Sequence, residues 1–308
     1  PSHLLPLAEP GIIGQALTGL VSHSTPFFVA PRFDPSLWQW LLRFAGNCRE
    51  KQMIQTGHFA LALLQQSRRL YDELITKYQL KCDWETNGAL YVCKQPQAFK
   101  ALSAKSELLQ TEFGIQARRL VDQQLTDMEP ALREGLAGAW YFPDDAHLRP
   151  DHLLRSWRES LVQRGVTVQE QTEVRALSLR KECARAVITD RGDIRAEQFV
   201  FATGAMTPLL ARDLGWQAPI QPAKGYSLTM PRPEPCPRLA LHFVDYGVVA
   251  TPWLSGYRLG SILEFSGYNR RVDPRRVALL RDGANQYLAE PCTETVEETW
   301  VGWRSMTP

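Results

Sequence analysis

The chain has 308 residues, 44% of them hydrophobic, and its 35 Lys and Arg against 33 Asp and Glu give a formal net charge of +2. That length can bury one large core or two ordinary ones, and a charge so near balance generates no long-range field to gather nucleic acid, which argues against such a partner. The six cysteines stand far apart without a Cys-x-x-Cys, and the six histidines have no carboxylate-rich companions at ligand spacing. A metal centre is therefore not expected, and the thiols read as those of a reduced, cytoplasmic protein.

The first 48 residues are rich in proline and apolar side chains, and 36–44, with Ser36 available as a cap, reads as a short helix that is apolar nearly all round. Such a helix is buried between elements or seated at a lipid interface. Helical spacing of Ala60, Leu64, Tyr71, Ile75 and Tyr78 predicts a long amphipathic helix over 54–78. A strand over 84–92, a helix over 97–111, a turn at 125–130, a strand over 138–143 and a helix from 149 to about 164 follow. Short strands are expected at 166–168 and 173–179. The turn Asp190-Arg191-Gly192-Asp193 predicts a hairpin between 184–189 and a long apolar strand, 194–203. Beyond a helix at 207–213 come strands at 225–230, 240–245, 247–251, 257–263 and 294–300, with one helix at 277–288. No stretch reaches the eighteen or so uninterrupted apolar residues that span a bilayer.

Three segments carry chemistry. The apolar strand ending in Ala202-Thr203-Gly204 brings small residues to a strand's C-terminal end, where backbone can approach a nucleotide and a following helix start offers donors; a buried strand and a simple turn would look the same. Lys224-Gly225-Tyr226 opens a further strand, in which Tyr226 is either contact or packing. Arg304, in Gly302-Trp303-Arg304-Ser305-Met306-Thr307-Pro308, carries a guanidinium fork suited to binding a carboxylate bidentately. The alternative for Arg304 is a surface arginine in a terminal strand.

Together these segments resemble the D-amino-acid oxidase superfamily of FAD-dependent oxidoreductases, with the small subunits of bacterial D-amino-acid dehydrogenases nearest. The similarity runs in order along the chain, through Pro6-Leu7-Ala8-Glu9-Pro10-Gly11, Asn47-Cys48, Ser67-Arg68, Glu129-Pro130-Ala131-Leu132 and Phe142-Pro143-Asp144-Asp145, to the segments just quoted. The resemblance implies α/β architecture with α+β features: a partial, Rossmann-like FAD-binding domain from 1–48, 145–222 and 297–308, interleaved with a mixed-sheet substrate domain from 49–144 and 223–296.

It implies FAD contacts at Val174, Ala202, Thr203, Gly204, Gly225 and Tyr226, with Arg304 and Tyr246 meeting the substrate carboxylate. Packing is the competing reading for Val174 and Tyr246. The implied reaction removes two electrons from the carbon–nitrogen bond of an amino acid, D-configured by preference, to give a 2-oxo acid and ammonia, with the flavin taking the hydride. A glycine or sarcosine oxidase, or a subunit of a proline or hydroxyproline dehydrogenase, would use the same folds. A membrane electron carrier as reoxidant, a partner subunit and peripheral attachment to the inner membrane also follow from the resemblance. The chain opens at Pro1 without methionine and contains no Gly-x-Gly-x-x-Gly, so the expectation is the middle of a longer flavoenzyme, cut at both ends; a non-catalytic remnant unable to bind FAD is the rival.

Overall fold

A computed structural model describes residues 2–14, 27–181, 183–211 and 215–308. Its frame is a nine-stranded sheet. Along it run β12 (Glu298–Met306), β8 (Gln221–Met230), β11 (Gly256–Phe265), β10 (Val248–Trp253), β9 (Ala240–Phe243), β2 (Ala89–Cys93), β4 (Gly138–Phe142) and β3 (Arg118–Leu120), and β1 (Phe27–Val29) pairs β11. The β1–β11 and β2–β9 pairings are parallel and the rest antiparallel. A separate three-stranded antiparallel sheet holds β5 (Val174–Arg180), β6 (Cys183–Thr189) and β7 (Gly192–Arg195).

Helices form where the sequence gives them starts. The first, α1 (Pro35–Asn47), has proline in its first turn, and the Asp34 carboxylate accepts from the Ser36 and Leu37 amides at 3.1 Å, so Asp34 rather than Ser36 is the cap. Next come α2 (Glu50–Tyr78), α3 (Pro96–Phe113), α4 (Asp122–Met128), α5 (Pro150–Gln163) and the short α6 (Thr207–Ala211). The last, α7 (Pro274–Asn285), repeats the Asp-Pro start, with Asp273 accepting from the Arg275 amide at 2.9 Å.

Because side chains alternate across a strand, the large sheet has two unlike faces. Leu90, Val92, Tyr226, Leu228, Met230, Leu241, Phe243, Val248, Ala250, Tyr257 and Leu259 all point to one side and form the main core, which α7 joins through Leu280 and Ala284. Residues of opposite parity, among them Gly225, Ser227, Thr229, Arg258, Thr251, His242 and Tyr91, point to the other. At one end of that second face α1 packs through Leu37, Trp40 and Phe44 onto Ala223 and Phe265, and the Trp40 indole donates to the Met306 carbonyl at 3.1 Å. Towards the other end, beside α2, a cavity of about 1370 Å³ opens, lined on the sheet by Thr251, Trp253 and Arg258.

The strand expected at 166–168 does not form, and the one expected over 194–203 pairs with β6 only as far as Arg195. Residues 166–168 and 196–203 are irregular, and Val200 is 92% exposed. Both have strand-like sequences, but a strand exists only where a neighbour accepts its ladder of hydrogen bonds, and the three-stranded sheet ends at β7. The expected helix at 207–213 is described only as far as Ala211, because 212–214 lie outside the described residues. The last strand begins at Glu298 rather than 294 and continues to Met306, in unbroken register with β8 from Glu298↔Thr229 to Met306↔Gln221.

Candidate functional site

The second face gathers several of the residues named above at the β12–β8 pair. Gly302 and Gly225 are register partners. Neither bears a side chain, so together they make a bare patch of backbone in the sheet. Two side chains from β12 lie across it. The Arg304 guanidinium lies over Gly225, where a β-carbon would stand 2.9 Å from its Cζ, and the Trp300 indole lies over Gly302, where a β-carbon would stand 2.5 Å from Cζ2. Next to the patch Ser227, the register partner of Trp300, is buried, and its hydroxyl finds no hydrogen-bond partner among the described residues.

Arg304 is held from the side by backbone. Its Nη1 donates to the Ile262 carbonyl at 3.1 Å. That carbonyl is available because β11 bulges there: Ser261 pairs with Tyr226 and Glu264 with Lys224, so one residue is extra, and Ser261 and Ile262 have φ of 128° and 64°. Desolvation beside the sheet lowers the Arg304 pKa from the ordinary arginine value, although the residue as a whole stays exposed.

The Ala202-Thr203-Gly204 corner lies beside the same strand end. A β-carbon on Gly204 would stand 3.5 Å from the Ser305 hydroxyl. The corner is tied down through Tyr268, whose hydroxyl donates to the Ala205 carbonyl at 2.8 Å and whose ring meets Trp303 edge-on at 5.9 Å. The Thr203 and Thr207 hydroxyls are 3.1 Å apart. Arg304 and Gly225 are thus brought together, whereas Gly204 meets β12 at Ser305 and its corner is tied to Trp303, residues of the opposite parity to Arg304; the strand expected to deliver Gly204 is absent.

Tyr226, Tyr246 and Val174 stand elsewhere. Tyr226 points into the core on the opposite face, and its hydroxyl donates to Glu264 Oε2 at 2.7 Å; burial, then Glu264, pushes its pKa well above the usual phenol value. Tyr246 sits in the turn between β9 and β10, against Gly283 of α7 and edge-on to Tyr287 at 6.0 Å. Val174 opens β5 in the small sheet, opposite Thr189. Trp300 and Ser227 did not stand out in the sequence, and their only signal was parity with Arg304 and Gly225, which needs the strand register to be read.

A second polar group lines the cavity side of the same face. His242 stacks parallel on Tyr91 at 4.2 Å and meets His3 at 4.8 Å. The Tyr91 hydroxyl donates to Ser2 Oγ at 2.8 Å, and the Ser2 hydroxyl donates to Asp145. No group of three or more His, Cys, Asp or Glu suited to a metal occurs among the described residues.

Comparison with known proteins agrees with this architecture. Residues 28–308 match the family described as FAD dependent oxidoreductase. A D-amino acid dehydrogenase of Paramagnetospirillum magneticum is 29% identical over 314 aligned positions, covering all of this chain and 74% of the relative. Among solved structures, glycine oxidase from Bacillus cereus superposes with a TM-score of 0.68 at 22% identity, over 80% of this chain and 68% of that one. L-proline dehydrogenase from P. horikoshii gives 0.64 at 18%, over 81% and 68%. These two likenesses establish the fold: mixed α/β, with a large mixed sheet and a smaller second one.

Proposed function

Since this chain belongs to the FAD-dependent oxidoreductase family, we propose that it oxidises an amino acid, D-configured by preference, to a 2-oxo acid and ammonia at the Gly225–Gly302 patch. The observation that carries this reading is the Arg304 fork lying over bare backbone beside the unpartnered Ser227 hydroxyl. A substrate carboxylate paired with Arg304 is held at a fixed distance and angle, which is what a bimolecular redox step needs from the protein. The D preference is supported by the relatives named D-amino acid dehydrogenase.

The residues present fit one side of a flavin site. The Arg304 and Trp300 side chains that cover the two glycines would face the ring, and the buried Ser227 hydroxyl, without a partner among the described residues, can serve a ligand. Bound FAD would supply the two-electron acceptor. The chain's own part is to bind the carboxylate through Arg304 and to aim Cα. The corner at Ala202, Thr203 and Gly204 is the proposed contact for the cofactor's polar chain, with Gly225 beside the ring. Tyr226 and Val174 would act at a remove, and Tyr246 would reach a substrate only from the turn beside α7. The Gly-x-Gly-x-x-Gly loop that cradles a pyrophosphate is not among the 308 residues, so the proposal gives these residues no part in holding that group.

No helix among the described residues is long and apolar enough to cross a membrane. Exposed Phe33, Trp38 and Leu42 at α1 support peripheral contact with a membrane, where an electron carrier would reoxidise the enzyme. The fold likeness to glycine oxidase and proline dehydrogenase favours, as a second reading, oxidation of a small or cyclic amino acid.

The deciding measurement is the visible spectrum after incubation with FAD, followed by anaerobic addition of D-alanine, L-alanine, glycine or proline. Flavin bands that bleach with D-alanine and yield pyruvate support the proposal. Peroxide formed in air with glycine favours the second reading, and a protein that stays colourless after reconstitution sinks both.

A further inference from the structure

On the far side of the sheet from Arg304, three charged side chains and a tyrosine are buried together. Lys224, Glu264 and Arg276 are 1%, 6% and 1% exposed, and Tyr226 is 2% exposed. The Glu264 carboxylate sits at their centre: Lys224 Nζ is 2.9 Å from Oε1, the Tyr226 hydroxyl donates to Oε2 at 2.7 Å, and Arg276 Nε is 3.9 Å from Oε2. Lys224 also donates to the Arg271 carbonyl at 3.0 Å. Burying charges costs desolvation that close pairing offsets, so such a cluster ties together the elements that carry it.

What it holds is the bulge. Ile262 at φ 64° is a β-branched residue in the left-handed region, a conformation that persists only where its surroundings over-determine it. The bulge lies between the pairs Ser261↔Tyr226 and Glu264↔Lys224. Glu264 closes its far end and binds the side chains of both Lys224 and Tyr226, the two residues that flank Gly225. One carboxylate therefore grips β8 on either side of the glycine under Arg304, and fixes the register that turns the Ile262 carbonyl towards the guanidinium.

We propose that Glu264 is a positioning residue for substrate binding: by clamping Lys224 and Tyr226 it locks the strained Ser261–Ile262 bulge, which in turn orients Arg304 over Gly225. The inference rests on the reading of Arg304 as the carboxylate ligand. It adds a buried residue on the opposite face that never meets substrate and yet sets its affinity.

The experiment compares the wild-type chain with Glu264→Gln, and with Lys224→Met/Glu264→Gln in case the single variant strands its cationic partners and fails to fold. Leu280→Ala, which opens the same core from α7, is the control for general destabilisation. Two quantities are read: the affinity for propionate as a bare carboxylate, by calorimetry, and amide exchange at Ile262 and Leu263. In the Glu264 variants propionate affinity should fall about tenfold, as expected for loss of one well-aimed charge-assisted hydrogen bond, and bulge amides should exchange at least about tenfold faster. Leu280→Ala should lower thermal stability and leave both readouts near wild type. If Arg304→Ala abolishes propionate binding while the Glu264 variants stay within twofold of wild type, the positioning role is wrong and the Arg304 reading stands. An Arg304→Ala protein that still binds propionate as well as wild type overturns the Arg304 reading itself. Losses as large in Leu280→Ala as in Glu264→Gln also overturn the positioning role.

Discussion

Arg304 lies across Gly225 so closely that no larger residue fits beneath it: a β-carbon there would stand 2.9 Å from Cζ and 3.1 Å from Nη2. Gly225 is outside the positive-φ region, so its strand backbone accepts alanine without strain, and the added methyl acts on the guanidinium alone. Gly225→Ala should therefore fold as wild type, with an unchanged melting transition. Its affinity for a carboxylate should fall by about 10- to 100-fold, the worth of a charge-assisted hydrogen bond. Titration with propionate, or KM for a D-amino acid, measures this, and an unchanged value would mean that Arg304 does not bind the carboxylate from this position.

Trp300 and Gly302 make a second pair of the same kind within β12. The indole lies over the glycine, and a β-carbon would stand 2.5 Å from Cζ2 and 2.7 Å from Cζ3. Gly302→Ala should destabilise by about 1–3 kcal/mol through overpacking, and most of that loss should vanish in a Trp300→Ala background. Denaturant melts of the two single variants and the double variant give the coupling directly. Additive losses would show that the indole moves aside at no cost.

The sequence singled out Arg304 for its guanidinium fork and Gly225 through the family resemblance, and the β12–β8 register places the two on one face. Most of the sheet was legible too, but the Asp-Pro helix starts were not: Ser36 was expected as the cap where Asp34 is, and the last helix was expected from 277 where it begins at Pro274. Trp300 and Ser227 were not, because their relevance comes from the β12–β8 register, which places them on the same face only after distant segments have paired. Tyr226 shows the converse: it adjoins Gly225 in sequence, yet the pleat sends its side chain into the core. The apolar run at 198–203 has strand composition, but strand formation is a property of two segments, and no second segment flanks it among the described residues.

Arginine and lysine carry the same charge and are not equivalent at position 304. The guanidinium spends one donor on the Ile262 carbonyl at 3.1 Å and, in the proposed role, offers others to the carboxylate. An ammonium is a point charge and cannot present a planar fork. Arg304→Lys should raise KM by at least about tenfold, and Arg304→Ala should raise it further and lower kcat/KM by about 100-fold or more. Steady-state kinetics of the FAD-loaded protein decides this; a lysine variant with wild-type KM would reduce the site to simple charge attraction.

His242 is pushed down to a pKa of about 3, by burial first and then by the neighbouring His3, against an opposing pull from Asp145. Its ring stacks on Tyr91 and meets His3, so it stays neutral in the folded protein across the physiological range. In the unfolded chain a histidine takes up its proton near pH 6.5. Between about 6.5 and 3 the unfolded state therefore holds the extra proton, and the stability associated with His242 is complete above 6.5 and lost progressively as pH falls through that window. His242→Phe keeps a flat ring against Tyr91 and removes the titration. Unfolding midpoints measured at pH 7, 5.5 and 4.5 should decline less steeply for the variant than for wild type, with the curves separating below about 6.5. Parallel curves would mean that His242 protonates as readily in the folded protein as in the unfolded one, and that the stack beside the cavity is open to water.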